Sequence, residues 1–203
     1  KVDDICVTEY KPHDPYSARE EIELIREAID NCGRNMVLSL SPGPAQIDAA
    51  FHLSQNANMW RMTGDFWDHW DKLYAMFERC EKWAPHVKTG CWPDCDMLPL
   101  GHIAATVGDP GYCNADAGHR TNLTHDEQYT VMTLWGICHS PLFFGGDMPK
   151  NDEFTLSLLT NEEYHQMHKY GQDAHEVLND EDRGHTIWTS LDPATGNRYL
   201  ALF

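Results

Sequence analysis

The chain reads as an α/β protein, part of a (β/α)8 TIM barrel running into the start of a separate antiparallel β domain. Three observations predict this. Short apolar segments alternate with helix-length amphipathic stretches four times, the pattern of a parallel sheet with right-handed crossovers. Acidic residues recur at or just beyond the expected strand ends, at Asp3, Asp65, Asp96 and Asp147, and a (β/α)8 barrel brings polar residues from several strand ends together on one face. The phosphate-binding glycine fingerprint of a doubly wound sheet is missing, which sets the barrel ahead of that alternative. Of a barrel's strands, about the fourth to the eighth are represented, over residues 1–180, with the β domain starting at 181.

The elements follow from local patterns. Residues 1–6 read as the end of a strand with no methionine or lead-in, which predicts further barrel strands upstream. Ser17 with Glu20 forms a capping box, and Ile22, Ile25 and Ile29 give its helix an apolar face that Cys32-Gly33 closes. Residues 36–40 are a short apolar strand, broken by Ser41-Pro42-Gly43-Pro44 and followed by a helix over 45–53. A strand over 56–60 leads into a helix over 67–81, with Trp67, Trp70, Leu73, Phe77 and Cys80 on one side. Residues 91–98 are loop and short strand, and 101–120 a long loop of the kind that is more often functional than idle.

Thr124 with Glu127 makes a second capping box, opening an apolar, buried helix through His139. A strand over 141–144 and helices over 154–159 and 161–169 complete the α/β part, the last helix capped by Thr160 with Glu163. From 185 the pattern turns β-rich around the Asp192-Pro193-Ala194-Thr195-Gly196 turn.

Composition removes several classes. A net charge of -17 argues against a nucleic-acid backbone as partner, and no apolar run reaches membrane-spanning length. The spacing of Cys6, Cys32, Cys80, Cys91, Cys95, Cys113 and Cys138 matches no zinc pattern. Buried thiols are expected, with one or two disulfides left open. His165 and His168 lack an acidic partner, so neither a metal nor a cofactor is expected. Nothing in the chain specifies an oligomeric state.

The stretch 56–71, N-A-N-M-W-R-M-T-G-D-F-W-D-H-W-D, carries the first chemical signal. Arg61 and Asp65 sit at a strand-to-helix turn among Trp60, Trp67 and Trp70, and flat rings beside fixed carboxylates suit a sugar. The plainer reading is a surface ion pair beside core tryptophans.

Five segments in order, K-V-D-D, L-S-L-S-P-G-P, W-R-M-T-G-D, W-P-D-C-D-M-L and S-P-L-F-F-G-G-D, resemble glycoside hydrolase family 27, the α-galactosidase or melibiase family. The resemblance covers essentially the whole chain. It implies a retaining exo-glycosidase on a (β/α)8 barrel followed by an antiparallel β-sandwich, with a carbohydrate substrate. It puts the nucleophile on Asp3, with Lys1 binding substrate, and the acid/base on Asp65. Arg61 is implied to bind sugar hydroxyls and steady the nucleophile side, and Asp96 to bind or scaffold. Asp4 stands where the family cysteine, here displaced by one residue, is expected. Of the tryptophans, Trp92 is the expected stacking platform, and Asp94 is open between sugar contact and scaffold.

Such chemistry needs two carboxyl groups about 5–5.5 Å apart, one attacking and one donating a proton. The cations of Lys1 and Arg61 should keep Asp3 ionised. The resemblance implies terminal α-D-galactosyl residues as substrate. The family's C-E-W segment is replaced by Leu40-Ser41-Pro42, so Ser41 marks an altered sugar contact. The resemblance also admits a β-L-arabinopyranosidase, whose sugar shares the galactose ring stereochemistry but lacks C6. A non-catalytic carbohydrate-binding relative would lack one of the two carboxylates, and a metal-dependent hydrolase would need histidines at the strand ends. A polysaccharide-degrading role implies a secreted or periplasmic protein, its targeting segment upstream.

Overall fold

Four short strands lie side by side in chain order and all run parallel. A computed structural model describes residues 1–5, 18–105 and 117–203. The strands are β1 (Val2–Asp3), β2 (Ser39–Ser41), β3 (Met59–Arg61) and β4 (Trp92–Asp94). Between them run α1 (Arg19–Asn31), α2 (Ala50–Asn56, after a 3-10 turn at Ile47–Ala49) and α3 (Trp70–Trp83). Each strand is shorter than its apolar run suggests. The first helix starts from Ala18 with no side-chain cap, and Ser17, of the expected capping box, lies outside the described residues.

Side chains alternate across a strand, and this alternation sorts the sheet's two faces. Leu40 and Trp60 are register partners and fully buried. They point to the helices, where Trp60 meets Trp83 with ring centroids 5.9 Å apart. Ile22 of α1, Leu53 of α2, and Leu73, Met76 and Cys80 of α3 belong to the same core. The α3 face differs from expectation, because the helix begins at Trp70. Trp67 falls in the preceding loop, and Trp70, in the first turn, is 48% exposed.

The expected loop over 101–120 holds a two-stranded antiparallel ribbon, β5 (His102–Ala104) with β6 (Gly118–Arg120). The capping box of Thr124 and Glu127 opens α4 (His125–Ile137), which is buried on most sides. The strand expected over 141–144 is a single parallel bridge, Phe144 against Leu98. Two helices follow, α5 (Glu153–Leu159) and α6 (Glu162–Tyr170). The cap of α6 is Asn161, whose side chain accepts from the Tyr164 N–H, and not Thr160. An amide one residue later is simply better placed for that orphan donor.

The antiparallel sheet has three strands in chain order, β7 (Gln172–Asp180), β8 (His185–Leu191) and β9 (Arg198–Leu202). It begins at Gln172, ahead of the domain start expected at 181 and of the β-rich pattern read from 185. Almost every side chain of β7 is exposed or half-exposed and Ala174 alone is buried, so the strand has no apolar alternation to read. The sheet shares the α/β core through Trp188 and Ala201, and Phe203 meets Phe77 of α3 edge-on at 4.9 Å. No helix among the described residues is long and apolar enough to cross a membrane.

Candidate active site

The parallel register brings four polar residues into one row. Asp3 pairs with Ser41 and Arg61 pairs with Asp94. The Leu40–Trp60 pair, one residue earlier, sets Ser41 level with Arg61. Each is the last residue of its strand, and all four share the face opposite Leu40 and Trp60. The ends of β1 to β4 therefore present carboxylate, hydroxyl, guanidinium and carboxylate in sequence. Asp4, in the left-handed region at φ 54°, turns the chain away immediately after Asp3.

Asp65 enters from the loop after β3. Arg61 is buried, and its Nη2 donates to Asp65 Oδ1 at 2.6 Å, while Asp65 itself is open to solvent. The second guanidinium arm, Nη1, lies 3.1 Å from Asp96 Oδ1. Asp96 holds a left-handed backbone, φ 74°, which costs an aspartate roughly 1–3 kcal/mol. Three hydrogen bonds and an ion pair with Arg61 offset that. Its carboxylate accepts the Phe66 N–H at 2.8 Å. Its own N–H donates to Asp94 Oδ1 at 2.8 Å, and its carbonyl accepts from Trp135 Nε1 at 3.0 Å. Farther along the loop, buried Asp68 accepts from the Asn122 N–H at 2.7 Å and lies 3.1 Å from His119 Nε2. The loop is thereby tied to the ribbon's second strand.

The charges are sorted by environment. A hydrogen bond from the Ser41 hydroxyl, with a smaller contribution from Lys1, holds the Asp3 carboxyl below the usual carboxylate range. Lys1 Nζ is 3.2 Å from Asp3 Oδ2, both exposed. Burial pushes Asp94 up to about 6. Asp96 is also raised by burial, against the pull of the Phe66 N–H and Arg61. Glycosyl transfer requires one carboxyl kept ionised and a second that can donate a proton; the strand ends place Asp3, and the loop after β3 places Asp65, as carboxyls on this face.

Several expectations are corrected here. Arg61 is expected to steady Asp3, but its Nη groups face Asp65 and Asp96, and the groups that favour the charged form of Asp3 are Ser41 and the cation of Lys1. Trp92 is not with the carboxylates. It is the first residue of β4, level with Met59 at the opposite strand end, and it lines a cavity of about 520 Å3 with His139, Pro141 and His168. Asp147, which the sequence does not place among the sugar contacts, faces Lys150 3.4 Å away. Among the described residues Cys32, Cys80, Cys91, Cys95 and Cys138 are free thiols, Cys80 and Cys95 lying 3.7 Å apart; Cys6 and Cys113 lie outside them. No group of three potential metal ligands occurs among the described residues.

Sequence reasoning did not find the Ser41–Asp3 contact or the Asp68–His119 link, because both depend on register and loop path. Asp94 had a readable signal, as it ends a strand two residues before Asp96.

A parallel β/α sheet whose strand ends gather carboxylates and an arginine on one face has the arrangement of the catalytic end of a (β/α)8 barrel. The family model described as "Alpha galactosidase A" matches residues 2–169, and the chain belongs to that family, glycoside hydrolase family 27. Among solved structures it is similar to a GH27 β-L-arabinopyranosidase from Geobacillus stearothermophilus, with 52% identity and a TM-score of 0.89 over 100% of this chain and 44% of that one. The α-galactosidase of Saccharomyces cerevisiae shares the fold at a TM-score of 0.70 and 20% identity, over 91% of this chain and 44% of that one. In sequence, Alpha-galactosidase 2 of Arabidopsis thaliana is 29% identical over 147 residues, 72% of this chain and 32% of that protein. The chain thus spans about a third of that plant relative and less than half of the arabinopyranosidase.

Proposed function

We propose that this chain supplies the two reacting carboxyl groups of a retaining exo-glycosidase that cleaves β-L-arabinopyranosides. The observation that carries the sugar preference is the difference in similarity. Identity is 52% along the whole chain to an arabinopyranosidase, against 29% over 72% of it to the plant α-galactosidase. Ser41, where the family resemblance expects an acidic residue, weakens the plain α-galactosidase reading. The α-D-galactosyl reading of the sequence is the weaker of the two on this ground.

In the proposed reaction Asp3 attacks the anomeric carbon as the glycosidic bond breaks, and Asp65 gives its proton to the departing oxygen. Asp3 suits the first role because Ser41 and Lys1 favour its charged form. The glycosyl ester so formed leaves Asp3 uncharged and Asp65 ionised. Asp65 then takes a proton from water as that water attacks the same carbon, releasing the sugar with its configuration retained and restoring both groups. Lys1, beside Asp3, reaches sugar hydroxyls at the same strand end. Two reciprocal displacements need the carboxyls on opposite sides of the sugar, and Asp3 at the end of β1 is separated from Asp65 on the loop after β3 by the intervening strand β2.

The test is a matched assay of the intact protein on aryl β-L-arabinopyranoside and aryl α-D-galactoside, with Asp3→Asn as control. The expected result is a kcat/KM at least about tenfold higher on the arabinopyranoside, abolished by the substitution. Equal or faster turnover of the galactoside contradicts the sugar assignment. Activity surviving in Asp3→Asn contradicts the role of Asp3.

A further inference from the structure

Arg61 serves two carboxylates at once, and the second has no part in the reaction just described. We propose that Asp96 is a positioning residue that divides the charge of Arg61 with Asp65 and fixes the loop on which Asp65 is carried. This deepens the preceding reading and rests on Asp65 being the acid/base.

Two ties support it. Asp96 Oδ1 takes Arg61 Nη1 at 3.1 Å while Nη2 goes to Asp65 at 2.6 Å. Asp96 Oδ2 takes the N–H of Phe66, the residue next to Asp65, at 2.8 Å. One buried carboxylate thus grips both the partner of Asp65 and the backbone beside it. Among the described residues nothing accepts from the buried Arg61 Nε, and the two Nη groups face these two acids. The left-handed backbone of Asp96, anchored by Asp94 and Trp135, aims the carboxylate back across the sheet at Arg61.

The electrostatic consequence follows from the groups that face this pair. Lys1 and Asp3 stand at the end of β1, Asp94 and Asp96 at and beyond β4, and Asp68 farther along the loop, held by His119 of β6. Arg61 is the cation bonded to both acids. With Asp96 ionised, part of the field of Arg61 is cancelled before it reaches Asp65, and an acid that must hold its proton to work is protected from full stabilisation of its anion. Removing that charge gives Asp65 the whole guanidinium. The coupling is reciprocal, since the charge of Asp65 opposes ionisation of Asp96.

The experiment measures kcat/KM against pH for the intact protein and for Asp96→Asn and Asp96→Glu. In Asp96→Asn the basic limb, which reports the group that must be protonated, is expected to move down by about one pH unit, with kcat falling more than KM rises. Asp96→Glu keeps the charge and should leave that limb in place even where the rate drops. A basic limb unmoved in Asp96→Asn leaves Asp96 a merely structural residue and overturns the proposal.

Should Asp96→Asn fail to fold, the Asp65→Asn protein decides, because that side chain is exposed. Carbon-13 carboxyl NMR should then show Asp96 titrating at lower pH than in the unsubstituted protein. No change overturns the proposal. This arm needs no turnover, so a protein that cleaves neither glycoside refutes the proposed function while still deciding the coupling.

Discussion

Arg61 Nη2 lies 2.6 Å from Asp65 Oδ1, joining a buried guanidinium on a strand end to an exposed carboxylate on the loop that follows. An exposed pair of this length would contribute little. Here one partner is fixed by the sheet and held from its other side by Asp96, so the pair acts as a positioning device. The planar fork of arginine serves two carboxylates from one side chain, which a lysine ammonium cannot do with the same geometry. Arg61→Lys is therefore expected to lower kcat/KM by about 100-fold while the far-ultraviolet circular dichroism spectrum stays unchanged. Steady-state kinetics on the better aryl glycoside checks this, and a loss of only a few fold would contradict it.

Ser41 gives a separate prediction at the other end of the row. Its hydroxyl donates to Asp3 and favours the charged form. Ser41→Ala removes a hydrogen bond to a charged group, a contribution of roughly 1.5 kcal/mol, equivalent to about one pH unit. The acid limb of kcat/KM should move up by at most that amount, with the basic limb unmoved. A shift of the basic limb alone would place the contact elsewhere.

Asp94 makes stability depend on pH in a defined direction. Its carboxyl titrates near 6 in the folded chain, against an ordinary value of 3.8. Between those values the folded state holds a proton that the unfolded state has lost, so stability falls as pH rises through this window. Above it the cost is on the order of 3 kcal/mol. Asp94→Asn keeps an oxygen for the Asp96 N–H and removes the buried charge. Thermal unfolding should show the substitution raising Tm above pH 6 and much less near about pH 4. A gain independent of pH would point to packing instead.

Gly136 sits in α4 where α6 crosses it. A Cβ there would come within 2.5 Å of the Tyr164 ring and 2.7 Å of the end of the Met167 side chain. Alanine gains up to about 1 kcal/mol of helix propensity over glycine, but overpacking costs roughly 1–3 kcal/mol. The methionine can yield and the largely buried ring cannot. Gly136→Ala is expected to lower the denaturant midpoint, and an unchanged or higher midpoint would show that the interface gives way.

The parallel units were legible because each strand brings an apolar residue, such as Leu40 or Trp60, and each helix an apolar face. The capping box at Thr124 was legible because its two side chains bond only locally. β7 was not, since an exposed strand leaves no alternation. Within the site, Asp65 was readable from its spacing to Arg61 along one segment. The Asp3–Ser41 contact and the hold of Asp96 on Arg61 depend on how strands are aligned, which a single sequence does not state. Trp92 misled for a geometric reason: it shares a face with Asp94, yet two residues of strand, about 6.6 Å, carry it to the other end of the sheet.

The central claim is that Asp3 forms a covalent bond to the sugar. It is tested most directly by peptide mass mapping of the intact protein after reaction with a 2-fluoro-substituted β-L-arabinopyranosyl donor bearing a good leaving group. Fluorine at C2 destabilises the oxocarbenium-like states and slows release of the intermediate. The account predicts one fluoro-pentosyl unit per chain, on the peptide containing Asp3, and none on the Asp3→Asn protein. An adduct on Asp65, or turnover of the donor with no adduct and inverted configuration, would contradict it.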